Sequence, residues 1–529
     1  MRSRAFVVLG VLSTALVTGG WLFAHGLDRG PGSVSGPRLF DEVMTHIERY
    51  YVDSVSTSDL FGKAIDGMLD ELHDPHSVFL RADRLARLNE STTGNYGGVG
   101  IQIDVRDGWV IVVSPLPGSP AERAGIETGD RIVDVAGKSA KGWTIEETRT
   151  ALRGAPGTTV SIITERSGSK RPVTLVRQEI HRSAVGRSVL LPDGVGYIDL
   201  DVFSDSTEKE LSRSIDSLAR AGMKSLILDL SANPGGLLTQ GVGVSDLFLD
   251  RDQEIVMMRG RVREANRKFV DGASQRWPEL PIVVLVDEYS ASASEIVAGA
   301  LQDHDRALIV GRTSYGKGSA QTLYPITGNN ALKLTTAKWY TPVGRSISKP
   351  HSKESEDGDE EESKPVPLAD REKYKTDAGR TVYGGGGITP DIVSADTIAP
   401  PSDLALANAI GRKGTQFRDA ITDYAMSLKG SKTITSVDFV VTDAMKNEVW
   451  QRMRQRGIDI DKSLYDAAPL VSRFISYDVA RYVLGRAAEQ RRIVQDLPEV
   501  QKAASLLRGV RTPKELLARG AEQQGRRGE

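Results

Sequence analysis

From Gly196 to Gly311 the chain repeats one pattern, a short apolar run followed by a helical stretch, and few architectures accommodate it. The runs are GYIDLDVF, SLILDL, PIVVLV and RALIVG, with helical spacing at Thr207 to Ala221, near Thr239 to Leu249, and from Ala293 onward. Alternation of this kind demands crossover connections, so it predicts an α/β core with helices packed on its sheet. At roughly 150 residues per domain, 529 residues leave room for two or three further domains.

Composition narrows the chemistry. Hydrophobic residues at 39% and charged residues at 26% are those of a soluble globular chain, which excludes wholesale disorder, collagen and a multi-spanning membrane protein. Sixty-eight Lys+Arg against 70 Asp+Glu is too balanced to point to nucleic acid. The absence of Cys removes disulfides, thiolate metal sites and Cys nucleophiles, leaving Ser, Lys, His and carboxylate chemistry.

Arg2 and Arg4 precede AFVVLGVLSTALVTGGWLFA, Ala5 to Ala24, a stretch without charge and about long enough to cross a bilayer core as a helix. Residues 1–27 are therefore expected to be a signal peptide or an uncleaved anchor, with the basic end cytoplasmic and the rest in the periplasm or an equivalent space. A linker (28–37) leads to a helical segment (38–90) with apolar positions at Leu39, Val43, Ile47, Leu60, Ala64, Met68 and Leu72. Residues 91–180 carry short β-rich runs around one helix near Thr144 to Arg153. The α/β core spans 181–400, interrupted at 351–378 by an acidic segment expected to be a disordered loop, since Glu354 to Glu362 holds seven acidic residues of nine. Residues 401–529 look helical, suited to packing on the body or pairing with another chain.

In the β domain, YGGVGIQI (Tyr96 to Ile103) places glycines just before a strand, and GSPAERAGIETGDRIVDVAG follows. Together they resemble a PDZ domain. A glycine-containing loop can present N–H groups to a peptide carboxylate while the next strand adds an extended peptide, which makes Gly97, Gly98, Val99, Gly100 and Ile101 the expected peptide-binding residues.

Within PIVVLVDEYSASASEIVAGALQDH a buried-type strand turns into a helix with Ser292 at its entrance. An N-cap would explain any one Ser there, but Ser290, Ser292 and Ser294 cannot all be caps. A nucleophile at Ser292 would gain from the helix dipole and the Ala293 N–H. It needs a base. His304 lies about three turns along the helix, too far to help locally. Lys317, between Gly316 and Gly318 in TSYGKGSAQ, is better placed, because burial disfavours its ammonium and yields a neutral amine.

SASASEI, then GKG, with LILDLSANPGG before them, GRTVYGGGGITPDI after, and DPHS at Asp74 to Ser77, resemble the C-terminal processing peptidases, or tail-specific proteases, over about residues 37 to 400. The resemblance implies a multidomain α/β serine endopeptidase: a crotonase-like protease core, a PDZ-like β domain, and helical N- and C-terminal segments. It implies Ser292 as nucleophile, Lys317 as general base, Gln321 orienting the Lys amine, and the N–H groups of Ala293 and Gly236 as oxyanion hole. Arg153 falls at a position that would couple the PDZ domain to the active site. Asp229 is read as structural. The implied substrates are proteins or peptides with exposed apolar C-termini. No metal or organic cofactor is implied, and a homodimer or an activating adaptor is a possible partner for the helical ends. Two rival readings stand beside this one: a non-catalytic PDZ scaffold or chaperone of the cell envelope, and a Ser-His-Asp hydrolase using His304 or His76.

Overall fold

The computed structural model describes residues 36–166, 168–349, 366–394, 399–431 and 433–525. The apolar N-terminal run and the acidic run Glu354–Glu362 lie outside them. Among the described residues no helix is long and apolar enough to cross a membrane.

One compact unit holds the described residues up to Leu80 together with Leu323–Ile326 and Asn330–Leu334. Its helices are α1 (Gly36–Tyr50) and α2 (Thr57–Asp70), the latter capped by Ser56, whose hydroxyl accepts from Asp59 N–H at 3.1 Å. Strand β1 (Val78–Leu80) pairs antiparallel with Ala331–Lys333. Of the helical positions anticipated here, Leu60 is buried, whereas Leu39, Val43, Met68 and Leu72 are exposed.

The second unit begins with α3 (Ala82–Thr93) and the β domain. There β2 (Asn95–Gly98) pairs with β9 (Gln178–His181), and β3 (Ile101–Arg106), β4 (Trp109–Pro115), β5 (Arg131–Val135), β7 (Thr159–Arg166) and β8 (Ser169–Val176) form an antiparallel sheet in that order, with the short β6 (Lys138–Ser139) beside β5. Every second residue of β7 turns inward, burying Val160 and Ile162 against Val110, Ile132 and Leu175. Helix α4 (Ile145–Leu152) starts at a capping box: Thr144 Oγ1 accepts from Glu147 N–H at 3.2 Å, and the Glu147 carboxylate accepts from Thr144 N–H at 2.7 Å.

The core sheet has the order β10 (Val185–Leu190), β11 (Val195–Leu200), β12 (Ser225–Asp229), β15 (Ile282–Val286), β16 (Leu308–Gly311), β21 (Ile392–Val393). It is parallel throughout except for β10 at its edge. Strands β11, β12, β15 and β16 are buried at every position, because both faces are covered. Ile198, Leu226, Leu228, Val284 and Ile309 meet the helices α5 (Thr207–Arg220), α6 (Leu238–Asp246) and α7 (Ala293–Asp303). The alternate residues Tyr197, Ile227, Val283, Leu285 and Val310 meet apolar side chains from beyond residue 496. A second, antiparallel layer contains β13 (Glu254–Gly260), β14 (Arg267–Val270) and the distal half of β18 (Asn330–Tyr340), which follows β17 (Ser319–Ile326).

One feature differs from expectation and another adds to it. Within the segment read as a disordered loop over 351–378, β19 (Lys373–Lys375) pairs with β20 (Thr381–Tyr383). The acidic composition does not extend that far, and Arg371 anchors the stretch through Val366 O at 2.9 Å and Thr389 Oγ1 at 3.3 Å. The C-terminal region is also two structures. Helices α8 (Pro401–Ile410), α9 (Gly414–Ser427), α10 (Asp443–Gln455), α11 (Lys462–Ala467) and α12 (Pro469–Val479) gather around Phe417, Ile421, Val449, Met453 and Ile475. After α13 (Arg486–Asp496), α14 (Pro498–Leu507) and α15 (Pro513–Gly525) instead lay Val500, Leu506, Leu507 and Leu516 on the far face of the core sheet.

Candidate active site

At the carboxyl end of β15 the chain turns into α7 through Ser292, whose φ of +55° and ψ of −112° are costly for a residue with a side chain. The neighbouring bonds hold it there. Ala291 N–H donates to Asn233 O at 3.0 Å, and Ser292 N–H to a Glu295 carboxylate oxygen at 2.7 Å. Ser290 and Ser294 are buried and committed elsewhere, their hydroxyls donating to Leu230 O at 2.8 Å and Asn233 O at 2.9 Å. Of the three serines, Ser292 alone is partly open to solvent.

Glu295 is the feature that sequence reasoning missed. It is fully buried, and its carboxylate accepts from Ser292 N–H, Lys317 N–H (3.0 Å), Gly316 N–H (2.7 Å) and Ser314 Oγ (2.6 Å). Burial pushes its pKa up, while these donors pull it back. One carboxylate thus fixes the backbone of the SASAS turn and that of the GKG loop. The S-x-x-E spacing from Ser292 to Glu295 is a helix-start signature and was the available signal.

Lys317 is half-buried, between glycines that the loop requires. A Cβ at Gly316, where φ is +91°, would come within 2.9 Å of the Lys349 side chain, and one at Gly318 would overlap the Ser348 hydroxyl. Trp339 locks the far side, its indole N–H reaching Lys317 O at 3.1 Å and its backbone N–H reaching Gly318 O at 2.9 Å. Gln321 donates through Nε2 to Ser319 Oγ (3.0 Å) and Thr335 Oγ1 (3.2 Å), which fixes the direction of its carbonyl oxygen.

The Asn233–Gly236 turn after β12 lies directly against the Ser292 turn. Asn233 is buried, donates to Leu200 O at 2.7 Å and accepts from Gly235 N–H at 2.8 Å. A Cβ at Gly235 would stand 2.8 Å from Ser292 Cβ and 2.9 Å from Ala293 N, so only glycine fits. Gly236 forms an isolated parallel bridge with Phe203, made by Phe203 N–H to Gly235 O (2.9 Å) and Leu237 N–H to Phe203 O (2.8 Å). In a trans peptide, turning Gly235 O toward Phe203 points the Gly236 N–H the opposite way. Asp229 is buried, accepting from the Tyr197 hydroxyl at 2.7 Å, and burial raises its pKa. His304 has both ring nitrogens engaged, with Asp377 at 2.8 Å and Glu254 O at 2.7 Å, which leaves it no role as a base for Ser292.

A concavity of about 400 Å³ lies between β3 and α4 of the β domain. Gly98, Val99, Gly100 and Ile101 line it, joined by Ile103, Ile145, Arg149, Leu152 and Arg153. Val99 O accepts from Ala121 N–H (3.1 Å) and Gly100 O from Leu116 N–H (2.9 Å), so the following N–H groups turn outward. Gly97 does not line it. Its Cβ would overlap Gly154 O, so this glycine serves a backbone crossing. Arg153 donates to Glu90 at 2.6 Å and lies over the Tyr96 ring, 4.6 Å from its centroid.

Comparison with known proteins matches residues 194–354 to peptidase family S41, 111–166 to the PDZ domain, and 38–84 to the activating protease CtpB N-terminal domain. The carboxy-terminal-processing protease of Bartonella bacilliformis is 40% identical over 314 residues, 58% of this chain and 71% of that protein. The carboxy-terminal processing protease CtpA of Bacillus subtilis is 34% identical over 391 residues, 72% of this chain and 84% of that one. Among solved structures, the photosystem II D1 C-terminal processing protease is 27% identical across 71% of this chain and 97% of that chain, with a TM-score of 0.35. The match of residues 194–354 to the family model, the PDZ match beside it, and the Bartonella and Bacillus proteases, of which the chain covers 71% and 84%, place it in peptidase family S41, the serine-type carboxy-terminal processing proteases.

Proposed function

We propose that the chain captures proteins by an exposed apolar C-terminal tail in the PDZ groove and cuts them with a Ser292–Lys317 dyad on a crotonase-like core. The observation that carries this reading is the shared carboxylate of Glu295, which holds the backbones of Ser292 and Lys317 in one register. Lys317 as a neutral amine takes the Ser292 proton as Oγ attacks the scissile carbonyl carbon. The oxyanion that forms is met by the Ala293 N–H at the start of α7 and by the Gly236 N–H. Collapse expels the amine, which leaves with the proton from the Lys317 ammonium, and the acyl group stays on Ser292. Lys317 then takes a proton from water as the hydroxide attacks the acyl carbon, and returns it to the departing Ser292 Oγ, freeing the acid and restoring the dyad. Gln321 orients the Lys317 amine through its carbonyl oxygen.

Arg153 is proposed to couple groove and core. From its Glu90 partner in α3 the connection runs to Thr92, whose carbonyl accepts from Asp205 N–H at 2.8 Å, two residues from the Phe203 that bridges Gly236. We also propose export, on the apolar run Ala5–Ala24 and its basic flank, with the anchor retained in the membrane.

The test uses an unstructured protein with an apolar C-terminus beside one with a charged tail, with the cuts read by intact mass spectrometry. Tail-dependent cleavage lost in Ser292→Ala and Lys317→Ala, and kept to the same order in His304→Gln, is the expected result. Substantial cleavage by Ser292→Ala would sink the dyad. Binding without cleavage by the parent chain would favour the scaffold reading.

A further inference from the structure

The groove beside β3 has a wall that is not part of the PDZ domain. Arg481, from the helical turn Ala480–Leu484 of the C-terminal region, reaches its lining, and the region is fastened alongside. Arg486 donates to Gln102 at 2.7 Å, Arg456 pairs with Asp107 at 2.7 Å, and Lys429 Nζ donates to Thr128 O at 3.3 Å.

Charge is the second observation. The lining includes three guanidinium groups, Arg149, Arg153 and Arg481, and no carboxylate. Their ion-pair partners, Glu146 (2.7 Å), Glu90 (2.6 Å) and Glu489 (3.6 Å), all stand outside the lining. The Nε groups of Arg153 and Arg481 are buried and meet no acceptor among the described residues. The groove is therefore apolar along Val99, Ile101, Ile103 and Leu152 and bordered by three guanidinium groups whose carboxylate partners stand outside its lining.

Position is the third. Strand β3 is the sheet edge, and a tail added antiparallel to it with its carboxylate at Gly98–Gly100 runs past Ile101 toward Ile103. Arg153 stands at the carboxylate end, over Tyr96. Arg481 borders a second cavity with Gln102 and Val113, farther along the strand, beside the residues that precede the terminal one. We propose that the C-terminal region completes the tail-binding groove, and that Arg481 selects tails with Asp or Glu just upstream of an apolar C-terminal residue. The inference rests on the tail-capture reading of the same groove.

The test is fluorescence anisotropy on the full chain carrying Ser292→Ala, with three labelled peptides that share an apolar end and differ upstream as Glu-Asp, Gln-Asn or Lys-Lys. The acidic peptide should bind about tenfold tighter than the neutral one, and the lysine peptide weakest, with the spread shrinking in high salt. Arg481→Gln should erase the acidic preference while the neutral peptide still binds, and Arg481→Glu should invert the order of acidic and lysine peptides. Thermal melts of both variants identify any loss of fold, and the charge reversal gives a gain that unfolding cannot mimic. Equal affinities for acidic and neutral peptides, or an acidic preference that survives Arg481→Gln, overturn the inference and leave tail capture standing. Failure of all three peptides to bind removes tail capture and the inference together.

Discussion

At the scale of single residues, Glu295 accepts from donors on two separated segments, so changing it disturbs the Ser292 turn and the Lys317 loop together. In Glu295→Gln, whichever way the amide turns, its NH2 faces two donors that lose their acceptor. The expected outcome is a fall in kcat of about a hundredfold or more with a smaller change in KM for a tailed substrate, the pattern of a positioning residue, measured by steady-state kinetics beside a thermal melt. A kcat equal to that of the parent would show that the Ser and Lys backbones keep their register without it. Ser292 and Lys317 can be singled out in the sequence because each sits in a local pattern: a strand–helix turn and a lysine between glycines. Their link cannot, because Glu295 meets Lys317 across 22 residues of sequence and the whole length of α7. The role of Gly97 is hidden for a related reason, since the backbone that it lets pass, Gly154, lies more than fifty residues away.

At the scale of elements, the strand–helix alternation anticipates the parallel sheet and the helices α5, α6 and α7 to within a few residues. What it does not reveal is the sheet's other cover. Apolar residues at every strand position announce that both faces are buried, but not which part of the chain buries the second. The helices α14 and α15 carry the amphipathic pattern equally expected of a dimer contact, and only the fold assigns Val500, Leu506 and Leu516 to Ile227, Val283 and Leu308. Leu506 has no exposed surface. Leu506→Ala should accordingly destabilise the protein by ~2–5 kcal/mol, with the loss seen as a lowered melting temperature of the catalytic core. A change within about 0.5 kcal/mol, the range of surface substitutions, would mean that α14 is peripheral.

At the scale of the whole molecule, buried carboxyl groups set the response to pH. Burial pushes Asp199 up to about 6 and Asp419 up to about 6, and Asp271, which also faces the Asp246 carboxyl, up to about 7. The folded chain keeps protons on these groups that an unfolded chain releases near the ordinary carboxylate value of ~3.9. Between those values the native state binds more protons, so stability falls as pH rises from about 4 to about 7 and levels off above, by about 1.4 kcal/mol for each tenfold rise in proton affinity on folding. Asp107, held low by its hydrogen bond to Arg456, has the opposite sign and withdraws its contribution only below the ordinary range. Melting temperatures should thus be higher at pH 5.5 than at pH 8, with Asp271→Asn flattening part of the slope. A profile that rises toward pH 8 would refute this ordering of charges.

The far face of the catalytic sheet is covered by α14 and α15, synthesised more than a hundred residues after β21, the last strand of the sheet they cover. A chain emerging in order can therefore assemble the Ser292 turn, the GKG loop and the PDZ groove while one side of the core sheet is still bare. Completion waits for α14 and α15. Synthesis itself becomes a timer, and a protease built this way comes to full stability only once α14 and α15 have been made.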